Sequence, residues 1–310
     1  MRGPSVRSVR DKRGTRGEGV LLAALTIAIV AVTGTPGADA QPAPKQPAPG
    51  QPGAQFAAAC GFGHTASADP IVDDPDPHLH DFFGNASTSR GSTYDSLRGA
   101  GTGCFHQADR SAWWVPAIKW DKKRLAPSSA SIYYRAAERD HERVRPHPSA
   151  LKMIAGGLGE QTRVLWSCGR GDRTKSQVPP RRCESGVLAA TVYFPDCWDG
   201  RNLDSADHRY HVEYAQKSGG ARRCPGSYPV PLPGIDATFF YSLPAGAPSG
   251  RVLVSAGHGS WEGQANYHAD FFNAWDQKSL TTLVQECING TKPAEPLPDK
   301  CRNPTPRRGG

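Results

Sequence analysis

No apolar run in this 310-residue sequence is long enough to cross a membrane. The longest, residues 20–32, is interrupted by Thr26, whereas a spanning helix needs about 20 apolar residues. The run follows a basic segment and precedes Ala38-Asp39-Ala40, which has the A-x-A form of a cleavage site. We therefore expect a signal peptide over residues 1–40 and a secreted protein, extracellular or cell-wall associated, with no stable membrane insertion after cleavage.

The chain also lacks a strong charge of one sign. Its formal net charge is +8, and residues 1–40 contain six basic and three acidic residues, so the remainder carries +5. No stripe of lysine and arginine is interleaved with aromatic residues, the pattern typical of nucleic-acid-binding surfaces. We expect no nucleic acid among its partners.

Several catalytic motifs are missing as well. The sequence contains no G-x-S-x-G nucleophile elbow and no phosphate-binding loop. It also has no C-x-x-C pair of the kind found in zinc ribbons and redox sites. These absences argue against serine hydrolases of the α/β type, nucleotide-binding P-loop enzymes and thiol oxidoreductases.

Cysteine, by contrast, is present in an even number. Eight cysteines in an exported chain predict four disulfides that stabilise the fold. Short separations favour the pairs Cys168–Cys183, Cys197–Cys224 and Cys287–Cys301, although the sequence alone does not decide the connectivity. The full set is Cys60, Cys104, Cys168, Cys183, Cys197, Cys224, Cys287 and Cys301.

Composition divides the rest of the chain into three parts. Residues 41–53 form a linker of proline, glutamine and alanine without apolar periodicity, and residues 291–310 form a tail rich in proline and basic residues. Residues 54–290 are predicted to form one folded domain. No internal repeat is visible.

The pattern within this domain is mainly β. Short runs of β-branched and aromatic residues, separated by Gly, Pro and Asp, occur at Ser131–Ala136, Arg163–Ser167, Val187–Phe194, His211–Tyr214, Ala237–Leu243 and Arg251–Ala256. One helix is predicted over Gln277–Asn289, with Asp276 or Ser279 as its N-cap. We expect a single disulfide-stabilised sandwich- or barrel-like domain with one C-terminal helix.

Side chains that can bind a metal or transfer a proton are most concentrated in residues 192–215, VYFPDCWDGRNLDSADHRYHVEYA. Asp207, His208 and His211 form a D-H-x-x-H cluster whose histidines would share one face of a helical turn. That arrangement suits metal ligation or acid–base chemistry. The competing interpretation is a loop held by Cys197 and polar capping, with both histidines exposed.

Two further histidine clusters accompany the first. His78 and His80 form an H-x-H pair, and alternate residues of an extended strand point the same way, so both imidazoles can converge on one ion or substrate. His268 and Asp270 alternate in the same manner and follow the glycine-flanked His258. Each histidine taken alone is more typical of a surface or a hydrogen-bonded core position, but three clusters with adjacent aspartates favour a shared site.

Five phrases of the sequence resemble those of a known family. The phrases HLHDFFG, DRSAWWVPAI, FPDCWDGRNLDSADHRYHVEY, CPGSYPVPLP and HADFFNAWD, in this order, resemble the secreted family called domain of unknown function 1996. The resemblance spans residues 69–289, whereas residues 135–159 match none of its phrases. It implies a secreted protein near cell-wall or polysaccharide biology, with the histidines and aspartates above in its motif blocks.

This resemblance directs attention to a carbohydrate ligand. Sugar rings stack on aromatic side chains while imidazoles and carboxylates bond their hydroxyls, so Trp198, Trp261 and Tyr267 are candidate substrate-binding residues. The expected partner is a polysaccharide or cell-wall glycan. Most of the other tryptophans are expected in the core.

Two mechanisms and one non-catalytic role remain open. In the first, one divalent metal ion is the cofactor, held by some of His78, His80, His211 and His268. In the second, metal-free acid–base catalysis cleaves the glycan by hydrolysis or elimination. The residues expected to be catalytic are His80, Asp207, His208, His211, His268 and Asp270. The alternative is a non-catalytic cell-wall or carbohydrate-binding module, in which the clusters would lie apart or fully buried.

Overall fold

The structure is a computed structural model that describes residues 54–75, 77–136, 143–171, 174–246, 249–290 and 299–302. All of these belong to one compact unit, residues 44–310. The predicted signal peptide, the predicted linker and most of the predicted tail lie outside the described residues and stay predictions. Within the described ranges, no helix is long and apolar enough to cross a membrane.

Strands dominate the architecture, as the sequence predicts. The described part contains eighteen of them: β1 Gln55–Ala66, β2 His80–Gly84, β3 Ala112–Pro116, β4 Ile118–Trp120, β5 Lys123–Arg124, β6 Pro127–Arg135, β7 Lys152–Gly156, β8 Val164–Cys168, β9 Val187–Tyr193, β10 Cys197–Trp198, β11 Val212–Glu213, β12 Gln216–Ser218, β13 Ala221–Arg223, β14 Val230–Pro231, β15 Gly234–Ser242, β16 Val252–Ser255, β17 Trp261–Gly263 and β18 His268–Phe272.

Nine of these strands form one antiparallel sheet in the order β7-β18-β3-β2-β1-β6-β15-β9-β8. β7 at one end also contacts β9 near the other end, so the sheet curls into a nearly closed barrel. Smaller sheets pair β17-β16-β4-β5, β11-β10-β14 and β12-β13. The fold class is therefore confirmed, with a barrel rather than a sandwich.

The helix predicted near the end is also confirmed. α1 is a short helix, Tyr94–Gly99, whereas α2 covers Gln277–Leu283 and continues as a π-helical segment, Val284–Asn289. Asp276 is the N-cap, because its side chain accepts a hydrogen bond from the Ser279 backbone N–H. The apolar face of this segment is buried against the core: Leu280, Leu283, Val284, Cys287 and Ile288.

Four disulfides close the described part of the chain. The three short-range pairs predicted above are present, and Cys60–Cys104 is the fourth. The bond between Cys197 and Cys224 ties the β10 sheet to the loop after β13. Most of the densest sequence motif, residues 197–215, therefore lies inside the loop that this disulfide closes.

Large aromatic side chains fill two hydrophobic clusters, one on each face of β3. Trp113, Trp114, Trp166 and Trp275 are almost completely buried, whereas Trp198 and Trp261 are half-buried. Burial of a large aromatic side chain stabilises the fold by about 1.5–3 kcal/mol. The expectation that most tryptophans belong to the core therefore holds.

Candidate functional site

Three histidines meet at one end of three neighbouring strands of the main sheet. β2 and β18 both pair antiparallel with β3, which lies between them, so the first residues of β2 and β18 lie at the same end of these strands. Phe82 and Asp270 both face Trp114 of β3 in register, and this aligns His80 with His268 two residues earlier on each strand. His78 precedes β2 and reaches the same place.

The geometry of the cluster is tight. The ring centroid of His78 lies 4.1 Å from that of His80 and 5.1 Å from that of His268, and the His80 and His268 rings are 5.9 Å apart. One nitrogen of each ring lies within 4.8 Å of the other two. We call His78, His80 and His268 the three-histidine cluster.

Backbone carbonyls fix two of the three rings. Nδ1 of His80 lies 2.9 Å from the Ala68 carbonyl oxygen, and Nδ1 of His268 lies 2.8 Å from the Asn266 carbonyl oxygen. Because a carbonyl only accepts, each Nδ1 carries the proton and each Nε2 keeps its lone pair. This outer hydrogen bond is the one that metal-binding histidines usually make.

Two nitrogens of the cluster are buried without a hydrogen-bond partner. Among the described residues, these are Nε2 of His78 and Nε2 of His80. An unpaired buried polar atom costs about 1–3 kcal/mol, so such atoms call for an explanation. Three converging imidazole nitrogens fit a divalent transition metal, for which imidazole is a preferred ligand.

Burial keeps the three imidazoles neutral. It lowers the pKa of His78, lowers that of His80 well below its usual range, and lowers that of His268 to about 3. Repulsion between the neighbouring rings lowers the pKa of His80 and His268 further. Neutral imidazole is the form that ligates a metal.

Two buried carboxyl groups flank the cluster. Oδ2 of Asp69 lies 3.8 Å from Nε2 of His80, and Oδ2 of Asp270 lies 3.4 Å from Nε2 of His268. Burial raises the pKa of both carboxyls, and for Asp270 the nearby Asp69 raises it further. Neither carboxyl oxygen of Asp270 has a hydrogen-bond partner among the described residues. Asp270 is therefore equipped to hold a proton beside the histidines.

The three-histidine cluster opens into a cleft of about 410 Å³. His78 and His268 line it together with Arg209 and Glu262, while His80 is fully buried behind them. Polar groups from two further segments complete the walls: Ser255, Gly257 and Asn266. This is an open, polar cleft with a candidate metal centre on one wall.

A family model described as domain of unknown function (DUF1996) matches residues 69–275. The chain belongs to the DUF1996 family. No curated protein and no solved structure matches it. The match contains all three members of the cluster and both flanking aspartates, so the candidate site lies inside the family's domain.

The structure places the D-H-x-x-H residues of this DUF1996 protein outside the cluster. Asp207 accepts hydrogen bonds from the backbone N–H groups of Arg209 and Tyr210 and from the Ser205 hydroxyl. Its pKa is lowered because these bonds outweigh the effect of partial burial. Asp207 thus caps a turn, which agrees with the polar capping of the competing loop interpretation, whereas the exposure that it expected is not found, because His211 is buried and His208 is half-buried.

The two histidines of that motif are also engaged locally. His208 has a positive φ of 58°, and its Nδ1 lies 2.7 Å from Oδ1 of Asp204. Nε2 of His211 lies 2.7 Å from the Lys152 carbonyl oxygen, and its Nδ1 lies 3.0 Å from the Ser205 hydroxyl. Both ring nitrogens of His211 are therefore occupied, and His211 is not available as a ligand in this arrangement.

Sequence reasoning missed Arg209 and Asp69. Arg209 lies between the two histidines of the densest motif, and it reaches the cleft while they do not. Asp69 is the first residue of the family match and caps the backbone N–H groups of Ile71 and Val72. Arg209 lies inside one of the five phrases typical of the family, which was a signal for it, whereas Asp69 lies in none of them.

The three aromatic candidates do not line the cleft. Tyr267 is fully buried and its hydroxyl lies 2.8 Å from that of Tyr241. Trp261 stacks beneath Lys119 Nζ at 3.9 Å, next to the lining residue Glu262. Nε1 of Trp198 donates to the Asn202 carbonyl. Trp261 and Tyr267 are each adjacent in sequence to residues that line the cleft, but their own side chains do not line it.

A second group of potential ligands is excluded chemically. Cys60, Cys104 and Asp109 lie close together, but the two sulfur atoms form a disulfide. Asp109 and His147 are completely buried in the aromatic core instead of facing a cleft. Within the described residues, the three-histidine cluster is therefore the candidate metal centre.

Proposed function

We propose that this DUF1996 protein is a secreted metalloenzyme that cleaves an extracellular or cell-wall polysaccharide. The observation that carries the proposal is the convergence of three neutral imidazoles beside an open cleft, with Nε2 of His78 and Nε2 of His80 buried and without a hydrogen-bond partner in the described part of the chain. Three protein ligands with an open position are typical of catalytic zinc sites, whereas structural sites are closed by four.

Each residue then has a defined task. His78, His80 and His268 would hold the ion, with Ala68 and Asn266 orienting two of the rings through their carbonyls. When bound, such an ion polarises a substrate oxygen or activates water. Oδ2 of Asp270 lies 3.4 Å from Nε2 of His268, and neither Asp270 oxygen has a hydrogen-bond partner among the residues that the structure describes, so Asp270 is the group that takes up and returns a proton.

The cleft supports a hydroxyl-rich ligand. Ser255, Asn266, Glu262 and Arg209 supply both donors and acceptors along its walls. An open cleft admits the interior of a polymer as well as its end. The predicted signal peptide and the four disulfides fit an extracellular substrate.

A depolymerisation assay tests the proposal. Zinc-loaded and chelator-treated protein are incubated with a panel of cell-wall and extracellular polysaccharides, and new chain ends are counted. We expect cleavage of at least one polymer by the loaded protein, loss on chelation, and recovery when zinc returns. Asp270→Asn should bind zinc yet cleave at least about 100-fold more slowly.

The non-catalytic module gives a different result in the same assay. Zinc binding together with polysaccharide binding, but no new chain ends for any polymer, would replace the enzyme by a metal-stabilised binding module. Equal cleavage before and after chelation would contradict the metal centre and leave acid–base catalysis.

A further inference from the structure

Arg209 is aimed into the cleft by a tightly bonded turn. Asp207 Oδ1 accepts hydrogen bonds from the Arg209 N–H at 3.1 Å and from the Tyr210 N–H at 2.9 Å. On either side, His208 bonds to Asp204, and His211 bonds to the Lys152 carbonyl. The chemistry-rich motif thus holds the backbone that presents one cation.

The guanidinium of Arg209 is fixed in one position. Its Nη1 donates to the Ile154 carbonyl at 3.2 Å and to Glu160 Oε2 at 2.8 Å, and its Nη2 donates to the Gly156 carbonyl at 3.0 Å. Glu160 is itself tied to the Gly156 N–H at 3.1 Å. A guanidinium that is held in place loses little entropy when it binds a ligand.

Part of this guanidinium is left for a ligand. Arginine has five N–H donors, and three are used by the contacts within the described residues. The side chain is 30% exposed and lines the cleft beside His268. Gly157 separates the two side chains, and a Cβ there would lie 3.9 Å from both Arg209 Nη2 and His268 Nδ1. Arg209 and His268 therefore line the same cleft from neighbouring positions.

The other charged group of the cleft is Glu262. It accepts a hydrogen bond from the Asn266 side chain, so its carboxylate is already engaged. A planar guanidinium with free donors matches the two oxygens of a carboxylate. We propose that Arg209 binds a carboxylate of the substrate, so that the polysaccharide cleaved at this site is built from uronic acids. This inference rests on the proposed function, because it names the substrate class of that site.

Calorimetric binding of matched sugars tests the inference. The probes are uronic-acid trisaccharides of several linkages, each paired with its methyl ester, which removes the charge and keeps the sugar. Wild-type protein loaded with zinc should bind at least one acid trisaccharide about tenfold or more tightly than its ester. Arg209→Gln should remove this preference, because the affinity for the acid should fall about tenfold more than the affinity for the ester.

Controls separate charge from folding. Arg251→Gln removes one exposed positive charge outside the cleft and should keep the preference. Zinc affinity and the unfolding midpoint report whether Arg209→Gln retains its fold. If it does not fold, Arg209→Lys keeps the charge without the planar fork and should lower the preference by at least about threefold.

Three outcomes would overturn the inference: equal binding of acid and ester by the wild type, a preference that survives Arg209→Gln, and equal loss of both ligands in that variant. Cleavage of neutral polysaccharide with no acid preference would overturn the inference and leave the proposed function intact. A preference for acid that depends on Arg209, without cleavage or zinc binding, would support the carboxylate site and contradict the enzyme.

Discussion

The molecule contains two groups of histidines whose side chains are used in opposite ways. In the turn around Asp207, both ring nitrogens of His211 and one of His208 have partners within a few ångströms. In the three-histidine cluster, the Nδ1 atoms of His80 and His268 bond to backbone carbonyls, whereas Nε2 of His78 and Nε2 of His80 are buried without a hydrogen-bond partner among the described residues. The first group holds a backbone in place, and the second is ready to bind an ion.

This difference shows that a segment rich in histidine and aspartate is not necessarily the segment that can bind a ligand. A histidine whose nitrogens already bond to a carbonyl, a carboxylate or a hydroxyl has little left for a ligand. A buried nitrogen without a partner costs free energy, and a bound ion would remove that cost. Four predictions sharpen this contrast, from the largest effect to the smallest.

The largest effect concerns metal affinity. His80→Ala removes a ligand and should weaken zinc binding at least about 100-fold, whereas His211→Ala should leave it within about threefold. Calorimetric titration with zinc measures both. Comparable losses in the two variants would mean that the turn belongs to the metal centre after all.

The disulfide that brackets the turn comes next. Replacing Cys197 and Cys224 together by serine should lower the free energy of unfolding by about 2–5 kcal/mol and loosen the loop that carries Arg209. Denaturant unfolding gives the first quantity. Replacing Cys287 and Cys301 is the matched control, because that disulfide joins the α2 region instead. A similar cost without any loss of acid-sugar binding is expected in the control.

A smaller effect is expected when the turn loses a histidine. His211→Ala leaves the Lys152 carbonyl and the Ser205 hydroxyl without this partner, so the free energy of unfolding should fall by about 1–3 kcal/mol. Thermal unfolding of the zinc-free protein checks it. An unchanged midpoint would show that these bonds contribute nothing to the turn.

The smallest expected effect is on the pH dependence of stability, and it concerns the buried residue Asp109. Burial raises the pKa of Asp109 to about 7 from its usual 3.8, so the folded state holds a proton that the unfolded state releases. Stability should therefore fall as pH rises from about 4 to about 7. Asp109→Asn should weaken this dependence and stabilise the protein at pH 8, because the variant has no proton to release. We expect a gain of only about 1 kcal/mol, because Oδ2 of Asp109 has no hydrogen-bond partner among the described residues and an amide group there would be equally unpaired. Identical pH profiles of the two proteins would contradict the assignment.

Much of the fold could be predicted from local pattern. β9 and β15 are rich in β-branched and aromatic residues, and α2 has helical periodicity behind Asp276, so each was predicted close to its observed place. The longest strand, β1, was not predicted. Its sequence, QFAAACGFGHTA, is rich in alanine and glycine, and it is a strand because β2 and β6 pair with it on both sides.

The candidate site was predictable only in part. The H-x-H pair and His268 were predicted as ligands because their residue types suit a metal. That His80 and His268 lie side by side depends on the register of β2 and β18 against β3, and no local pattern contains that register. The role of Arg209 depends on contacts with Ile154, Gly156 and Glu160, which are distant in sequence.

Elemental analysis of the protein, purified without added metal, tests the central claim most directly. Three proteins are compared: the wild type, His80→Ala/His268→Ala, and His208→Ala/His211→Ala, which loses the same number of histidines from the turn. We predict about one divalent transition-metal ion per chain in the wild type and in the turn variant, and none in the cluster variant. Equal metal content in all three, or loss confined to the turn variant, would contradict the three-histidine centre.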